Sequence, residues 1–316
     1  MFGYCFNSVQ RQPFNIEAIE VVLGEEKLRV ADINPNFSKV IEKTGIPYVY
    51  RSRVDATELA VLAASQLLNN HSVALDQIRC LIVVSQSPRL LLPGISSEVH
   101  SRMKLPSNCI SLDVSQGCSG FVQGLLIANS FLESDSKALL ICTDTYRSKL
   151  DVDDRSTSSI FSDGASASLI SSDPLMRIDS EAHYSEGSGA RFLFQSIDHS
   201  TNGGFLYMAG SDVYVFTKRV VERQVRSVVQ AANREPSEID CVYPHQASLM
   251  VLNSLQQALA DFRQVRNSVR TYGNLVSSSI PTLLREDLET WRSQRSVLVG
   301  FGVGLSCSTV LLSPYE

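Results

Sequence analysis

Three side chains, each at the end of an apolar run, have the types that acyl-transfer chemistry needs. Cys118 lies in Asp113-Val-Ser-Gln-Gly-Cys-Ser-Gly-Phe121, His245 in Tyr243-Pro-His-Gln-Ala-Ser248, and Asn274 in Tyr272-Gly-Asn-Leu-Val-Ser277. A thiolate attacks a thioester, and neutral N–H donors on an imidazole and an amide hold the resulting oxyanion or enolate. Cys118 falls between a strand end and a helix start, where unpaired backbone N–H groups favour an anion. That position predicts a lowered thiol pKa. The turn Gly300-Phe-Gly-Val-Gly304 could add backbone donors to an oxyanion hole. It could equally cradle a phosphate, but Gly-x-Gly alone is weak and no helix follows it. Each residue taken singly has a plainer reading. A free cysteine is commonly a small core residue, a lone histidine is more often structural, and an asparagine after glycine usually makes a turn.

The elements that must position these residues follow from hydrophobic periodicity. Cys109–Val114 reads as a buried strand and Phe121–Phe131 as the helix behind Cys118. Residues 16–23 fit either helix or strand. Helices are predicted over 34–43, 56–68 and 95–103, and buried strands over 79–85, 137–143 and 164–172. In the second part of the chain a long helix spans 213–233, with further helices at 248–262 and 280–291. Strands are predicted at 240–244, 268–272, 296–301 and 308–313. Strands alternating with helices imply a largely parallel α/β sheet, whose ligands collect at the carboxyl ends of the strands. The order repeats: Ser107 and Arg266, which precede corresponding strands, are 159 residues apart (266 − 107), and so are Ala138 and Val297 (297 − 138). A duplicated β/α unit is therefore expected, with halves 1–173 and 174–316. The Gly/Ser-rich stretch 174–212 reads as a connecting excursion with a hairpin.

Composition narrows the function classes. The 316 residues are 44% hydrophobic and 19% charged, with a net charge of −5 and a pI near 5.6. Nucleic acid, which wants a basic surface, is excluded as the main partner. The seven cysteines are scattered and free of C-x-x-C pairs, which excludes a simple disulfide framework and a zinc signature and points to a reducing, cytoplasmic compartment. The other histidines (71, 100, 183 and 199) have no metal-ligand spacing. The first eleven residues lack a basic segment followed by an apolar run, so no signal peptide is expected. No stretch is apolar enough for a membrane span.

The Cys118, His245 and Asn274 segments together resemble the active-site signatures of β-ketoacyl-acyl-carrier-protein synthase III, within the thiolase superfamily. Lys43-Thr-Gly-Ile46, Ile160-Phe-Ser-Asp-Gly164, Met208-Ala-Gly210 and the late glycine turn extend the resemblance over nearly the whole chain. It implies a thiolase-like, five-layered αβαβα fold of two duplicated halves and a homodimer. By resemblance, Cys118 would receive an acyl group, and His245 and Asn274 would bind the second thioester and stabilise the enolate left by loss of CO₂. Backbone N–H groups of Cys118 and Val303 would form the oxyanion hole. Leu92, Arg155, Met208 and Met250 match substrate-binding positions, Leu92 being the one that reaches across the dimer to close the neighbour's acyl pocket. The family usually has Phe there. No tightly bound cofactor is implied and no metal; acyl-CoA or acyl-carrier-protein phosphopantetheine thioesters would be substrates.

The sequence departs from the family in places that matter for partners. Lys39 stands where acetyl-CoA-primed members have an adenine-stacking Trp, although the matching Arg155 is kept. Val215, Met250 and Gln257 replace basic residues that contact the carrier protein. A specialised relative, acting on an unusual starter or acceptor in secondary metabolism, is therefore expected. Two alternatives keep the same residues: acyl transfer to an alcohol or amine with His245 as base, and a non-catalytic subunit of a thiolase-fold heterodimer. A caspase-type protease, with His71 upstream of Cys118, fails on the residues flanking the cysteine.

Overall fold

The computed structural model describes residues 5–6 and 11–316, His199 excepted. The N-terminal stretch on which the signal-peptide reading rests lies largely outside the described residues. In chain order the principal elements are β1 (Phe14–Leu23), α1 (Ala56–Asn70), β2 (Ile78–Val84), α2 (Ile95–Arg102), β3 (Ile110–Val114), α3 (Gly120–Ser130), β4 (Lys137–Asp144) and β5 (Gly164–Ser185). There follow α4 (Gly210–Ala231), β6 (Cys241–Pro244), α5 (Leu249–Ala258), α6 (Ser279–Trp291), β7 (Ser296–Gly302) and β8 (Ser306–Pro314). The strands run in the order β6-β7-β8-β5-β4-β2-β3, with β1 also on β5. The β6–β7, β2–β3 and β2–β4 pairs are parallel, whereas β8 and β4 each meet β5 antiparallel.

Strand β5 belongs to two sheets at once. Residues 164–171 pair with β1 and β4, and residues 176–185 pair with β8. The chain thus makes two sheets whose side chains alternate between faces. In β2 and β4, Leu81, Val83, Leu139 and Ile141 pack outward against Leu59 and Ala63 of α1 and Val99 of α2. The alternate residues Ile82 and Leu140 face inward on Phe121 and Leu125 of α3 and Leu283 and Leu284 of α6, which on their far side meet Leu298 of β7 and Val310 of β8. A third core joins Val242, Val297 and Val299 to Val225 and Val228 of α4 and Leu252 of α5. Helix, sheet, helix pair, sheet, helix: these are the five layers. Covering both faces explains why β4 is buried along its length and reads as a nearly continuous apolar run. The repeat is visible too, since β4 and β7 start 159 residues apart (296 − 137), as do α3 and α6 (279 − 120).

Four readings change. Residues 16–23 are strand. The expected strand at 268–272 is instead a helical turn, Val269–Tyr272. Its β-prone residues are overridden by local bonds, in which Thr271 N–H reaches the Ser268 carbonyl and Gly273 N–H that of Val269, at 2.9 Å each. The strand before Cys118 is an edge, not a buried strand, and Ile110 is 44% exposed. The 174–212 stretch is not all excursion: β5 runs through Pro174 to Ser185, and only then comes the hairpin of Leu193–Gln195 with Leu206–Met208.

Candidate active site

The turn between β3 and α3 is wedged against β7. A Cβ on Gly300 would stand 2.6 Å from the Cys118 carbonyl oxygen, and one on Gly302 would stand 3.3 Å from Cys118 Sγ. These glycines are inside a strand, so they serve close approach rather than forming a phosphate loop. Behind the turn, Ser119 Oγ lies 2.9 Å from Ser306 Oγ. Cys118 itself is buried. Burial pushes its thiol up, the Asp144 charge adds to the shift, and only its own backbone N–H opposes. This corrects the expected lowering at a helix pole. Taking the sulfur out of water disfavours its charged form.

His245 is placed by the end of β6, its N–H donating to the Val299 carbonyl at 2.9 Å. The ring meets Phe301 edge-on, with centroids 5.5 Å apart, and its buried Nδ1 has no hydrogen-bond partner among the described residues. Burial pushes the imidazole down to about 3, with the Val276 backbone opposing, so it is neutral at physiological pH. Asn274 is pinned on both sides. Its N–H donates to the Ile160 carbonyl and its own carbonyl accepts from Ser162 N, each at 2.9 Å. Its Oδ1 accepts from Val276 N at 2.9 Å, which leaves Nδ2 as the side chain's offering to a ligand.

Cys118, His245 and Asn274 line one cavity of about 820 Å³. Lys39, Arg155, Met208 and Met250 line it too. A second cavity, of about 710 Å³, begins at Cys118 and runs the other way past Val303, Gln86, Tyr146 and Leu91. The thiol therefore stands at the junction of two chambers, one bearing the neutral donors. Leu92 lines neither and is 83% exposed, although its neighbours Leu90 and Leu91 are part of the second wall. Asp113 turns away from the chemistry: its carboxylate takes Ser96 N–H at 3.1 Å, at the start of α2.

Sequence reasoning passed over the group beneath the thiol. Asp144, at the end of β4, is buried and accepts from Gln86 N at 2.9 Å, Ser87 Oγ at 3.2 Å and Ser277 Oγ at 2.8 Å. Burial pushes its carboxyl up to about 6 against these bonds. Tyr146 OH donates to Gln86 Oε1 at 3.2 Å. The signal was a polar Thr143-Asp144 pair closing an apolar run, at the carboxyl end of a strand. Among the described residues, no group of three or more His, Cys, Asp or Glu side chains could hold a metal, and no helix is long and apolar enough to cross a membrane.

Residues 112–187 match the family model for 3-oxoacyl-[acyl-carrier-protein] synthase III, and residues 229–313 match its C-terminal model. The β-ketoacyl-[acyl-carrier-protein] synthase III of Aquifex aeolicus is 30% identical over 263 residues, covering 81% of this chain and 83% of that one. The chain belongs to the β-ketoacyl-[acyl-carrier-protein] synthase III family. The Lactococcus lactis synthase III is 28% identical over 315 residues, covering 93% and 95% of the two chains. A solved 3-oxoacyl-(acyl-carrier-protein) synthase III superposes with a TM-score of 0.87 at 28% identity, over 95% of this chain and 99% of the other. The Aquifex aeolicus enzyme superposes at 0.86 with 26% identity and the same coverage. The fold is thus the thiolase-like one of the synthase III family, and the protein is a condensing enzyme of ketosynthase III type.

Proposed function

We propose that Cys118 is acylated by a thioester and then passes the acyl group to a malonyl-type thioester by decarboxylative condensation. In the first step the Cys118 sulfur forms a bond to the acyl carbon, the donor's C–S bond breaks, and the thiol proton leaves with the departing thiol. Backbone N–H groups of Cys118 and Val303 hold the oxyanion of that step. In the second, the acceptor's bond to its carboxylate breaks and CO₂ departs. The freed electron pair forms the new carbon–carbon bond, the thioester to Cys118 opens, and the released thiolate takes a proton from water. His245 and Asn274 each give one N–H to the acceptor's carbonyl oxygen and so stabilise the enolate. Neutral donors suit that task. The observation that carries the reading is the meeting of these three side chains in one cavity.

The donor thioester enters past Arg155, Met208 and Met250. The carriers are coenzyme A or an acyl carrier protein, and the enzyme works as a homodimer in which Leu92 closes the partner's acyl chamber. The exposure of Leu92 (83%) and of the edge residue Ile110 (44%) leaves each open to a partner. Val215 and Met250, both exposed and uncharged, support a specialised role over the housekeeping one. Incubation with acyl and malonyl thioesters tests the reaction. CO₂ release together with a lengthened product supports condensation, whereas acyl transfer without CO₂ points to an alcohol or amine acceptor. A chain that takes up no acyl group would be a non-catalytic subunit.

A further inference from the structure

The 710 Å³ chamber behind Cys118 has an uneven wall. Leu90, Phe161, Phe194 and Leu206 make one part apolar, as a hydrocarbon chain requires. Two cations, Arg89 and Lys149, also line it, and among the described residues no Asp or Glu does. Arg89 is committed, lying 3.0 Å from Asp55 and 3.3 Å from Glu98. Lys149 is not. The hydrogen bond its ammonium makes is to the Pro88 carbonyl, at 3.5 Å. Burial works against its charge, and the compensating carboxylate of Asp144 is already shared among Gln86, Ser87 and Ser277. A half-buried cation without its own counter-ion is costly unless a ligand supplies one.

We infer that this chamber takes an acyl group whose far end carries a carboxylate. Cys118 holds the near end as a thioester, the apolar wall covers the methylenes, and Lys149 pairs the distal carboxylate. A carboxylate is the anion that one ammonium neutralises; a phosphate would bring a second charge with no partner in that wall. The substrate class is then the monothioester of a dicarboxylic acid. The reaction that supplies it must activate one carboxyl of such an acid and leave the other free. This inference rests on the acyl-carrier role given above to Cys118.

The test offers coenzyme A thioesters in matched pairs over a range of chain lengths, each pair comparing an ω-carboxyacyl group with the methyl-terminated acyl group of equal carbon number. Intact mass follows the Cys118 adduct with time. At the best length the carboxylate is expected to be favoured by about tenfold, the worth of one charge-assisted hydrogen bond. Lys149→Met should collapse that ratio and Lys149→Arg should keep it. Because the readout is a ratio within one protein, any general loss of activity cancels. Preference for the methyl-terminated partner at every length, or an unchanged ratio in Lys149→Met, overturns the inference while the acyl-carrier role stands. Labelling by neither series overturns both.

Discussion

Replacing Gly300 by alanine asks whether β7 really braces the nucleophile. The added methyl would lie 2.6 Å from the Cys118 carbonyl oxygen and 2.7 Å from Ser119 Cα, where unstrained contacts are about 3.5–4.0 Å. Both are backbone atoms, so no side-chain rotation relieves the clash. About an ångström of movement is required. Strand β7 is hydrogen-bonded on both sides, to β6 and β8, so the turn carrying Cys118 is what gives. Overpacking of this kind costs about 1–3 kcal/mol, a fall in Tm of roughly 2–8 °C for a domain of this size. A reacting group displaced by about 1 Å loses on the order of a hundredfold in rate. Gly187→Ala is the control, because a Cβ there meets nothing within 4 Å. Melting curves and the rate of adduct formation from an acyl thioester are the two readouts. If Gly300→Ala melts and acylates like the parent chain, the bracing argument is wrong.

Three further outcomes follow from the same geometry. Cys118→Ala should lose the acyl adduct, since Cys80, Cys109, Cys142, Cys241 and Cys307 are buried and lie outside both chambers; an adduct that persists in the variant places the acyl group elsewhere. His245→Ala and Asn274→Ala should keep the adduct but lose CO₂ release by roughly a hundredfold or more, the usual worth of one donor to a developing oxyanion, and parallel loss of both steps would contradict the division of labour. Asp144 governs a pH effect. Its carboxyl is raised by burial from 3.8 to about 6, so the folded chain binds that proton more tightly than the unfolded one. Ionised Asp144 therefore costs stability above about pH 6, and the cost is relieved as the pH falls towards 3.8. Denaturant unfolding of Asp144→Asn should show a flatter pH dependence across that window, though not a flat one, because Asp163 is also raised to about 6; a slope equal to the parent's would refute the assignment.

The site was legible where a reactive side chain closes an apolar run. Cys118 and His245 each follow a strand whose pattern marks its end, whereas Asn274 follows a helical turn that the pattern presented as strand. The layering was legible for the same reason, since two-faced burial writes continuous apolar strands such as β4. What pattern could not carry was environment. The sign of the Cys118 shift depends on β7 and Asp144 closing over the sulfur, from positions far along the chain. Gln86 and the short helical turn Tyr146–Lys149 follow different strands, and only tertiary packing gathers them into one wall. The 268–272 segment has strand-like residues, and its helical turn is decided by local backbone bonds that propensity does not encode.

The suppressed thiol also bears on how such a site works. A nucleophile poised as a thiolate would be open to oxidation at rest. Here burial and Asp144 hold Cys118 as the neutral thiol, and burial holds His245 as the neutral imidazole. The resting chamber therefore contains no ion pair between them. In the proposed reaction the incoming thioester takes up the sulfur's electron pair and, on leaving, the proton. The same burial, which leaves Cys118 8% exposed, would limit the access of water to the acyl-enzyme thioester of that reaction. A lowered thiol pKa would have served the first attack better and the stored intermediate worse. In the proposed role, in which Cys118 holds an acyl group until a second substrate arrives, the second requirement governs.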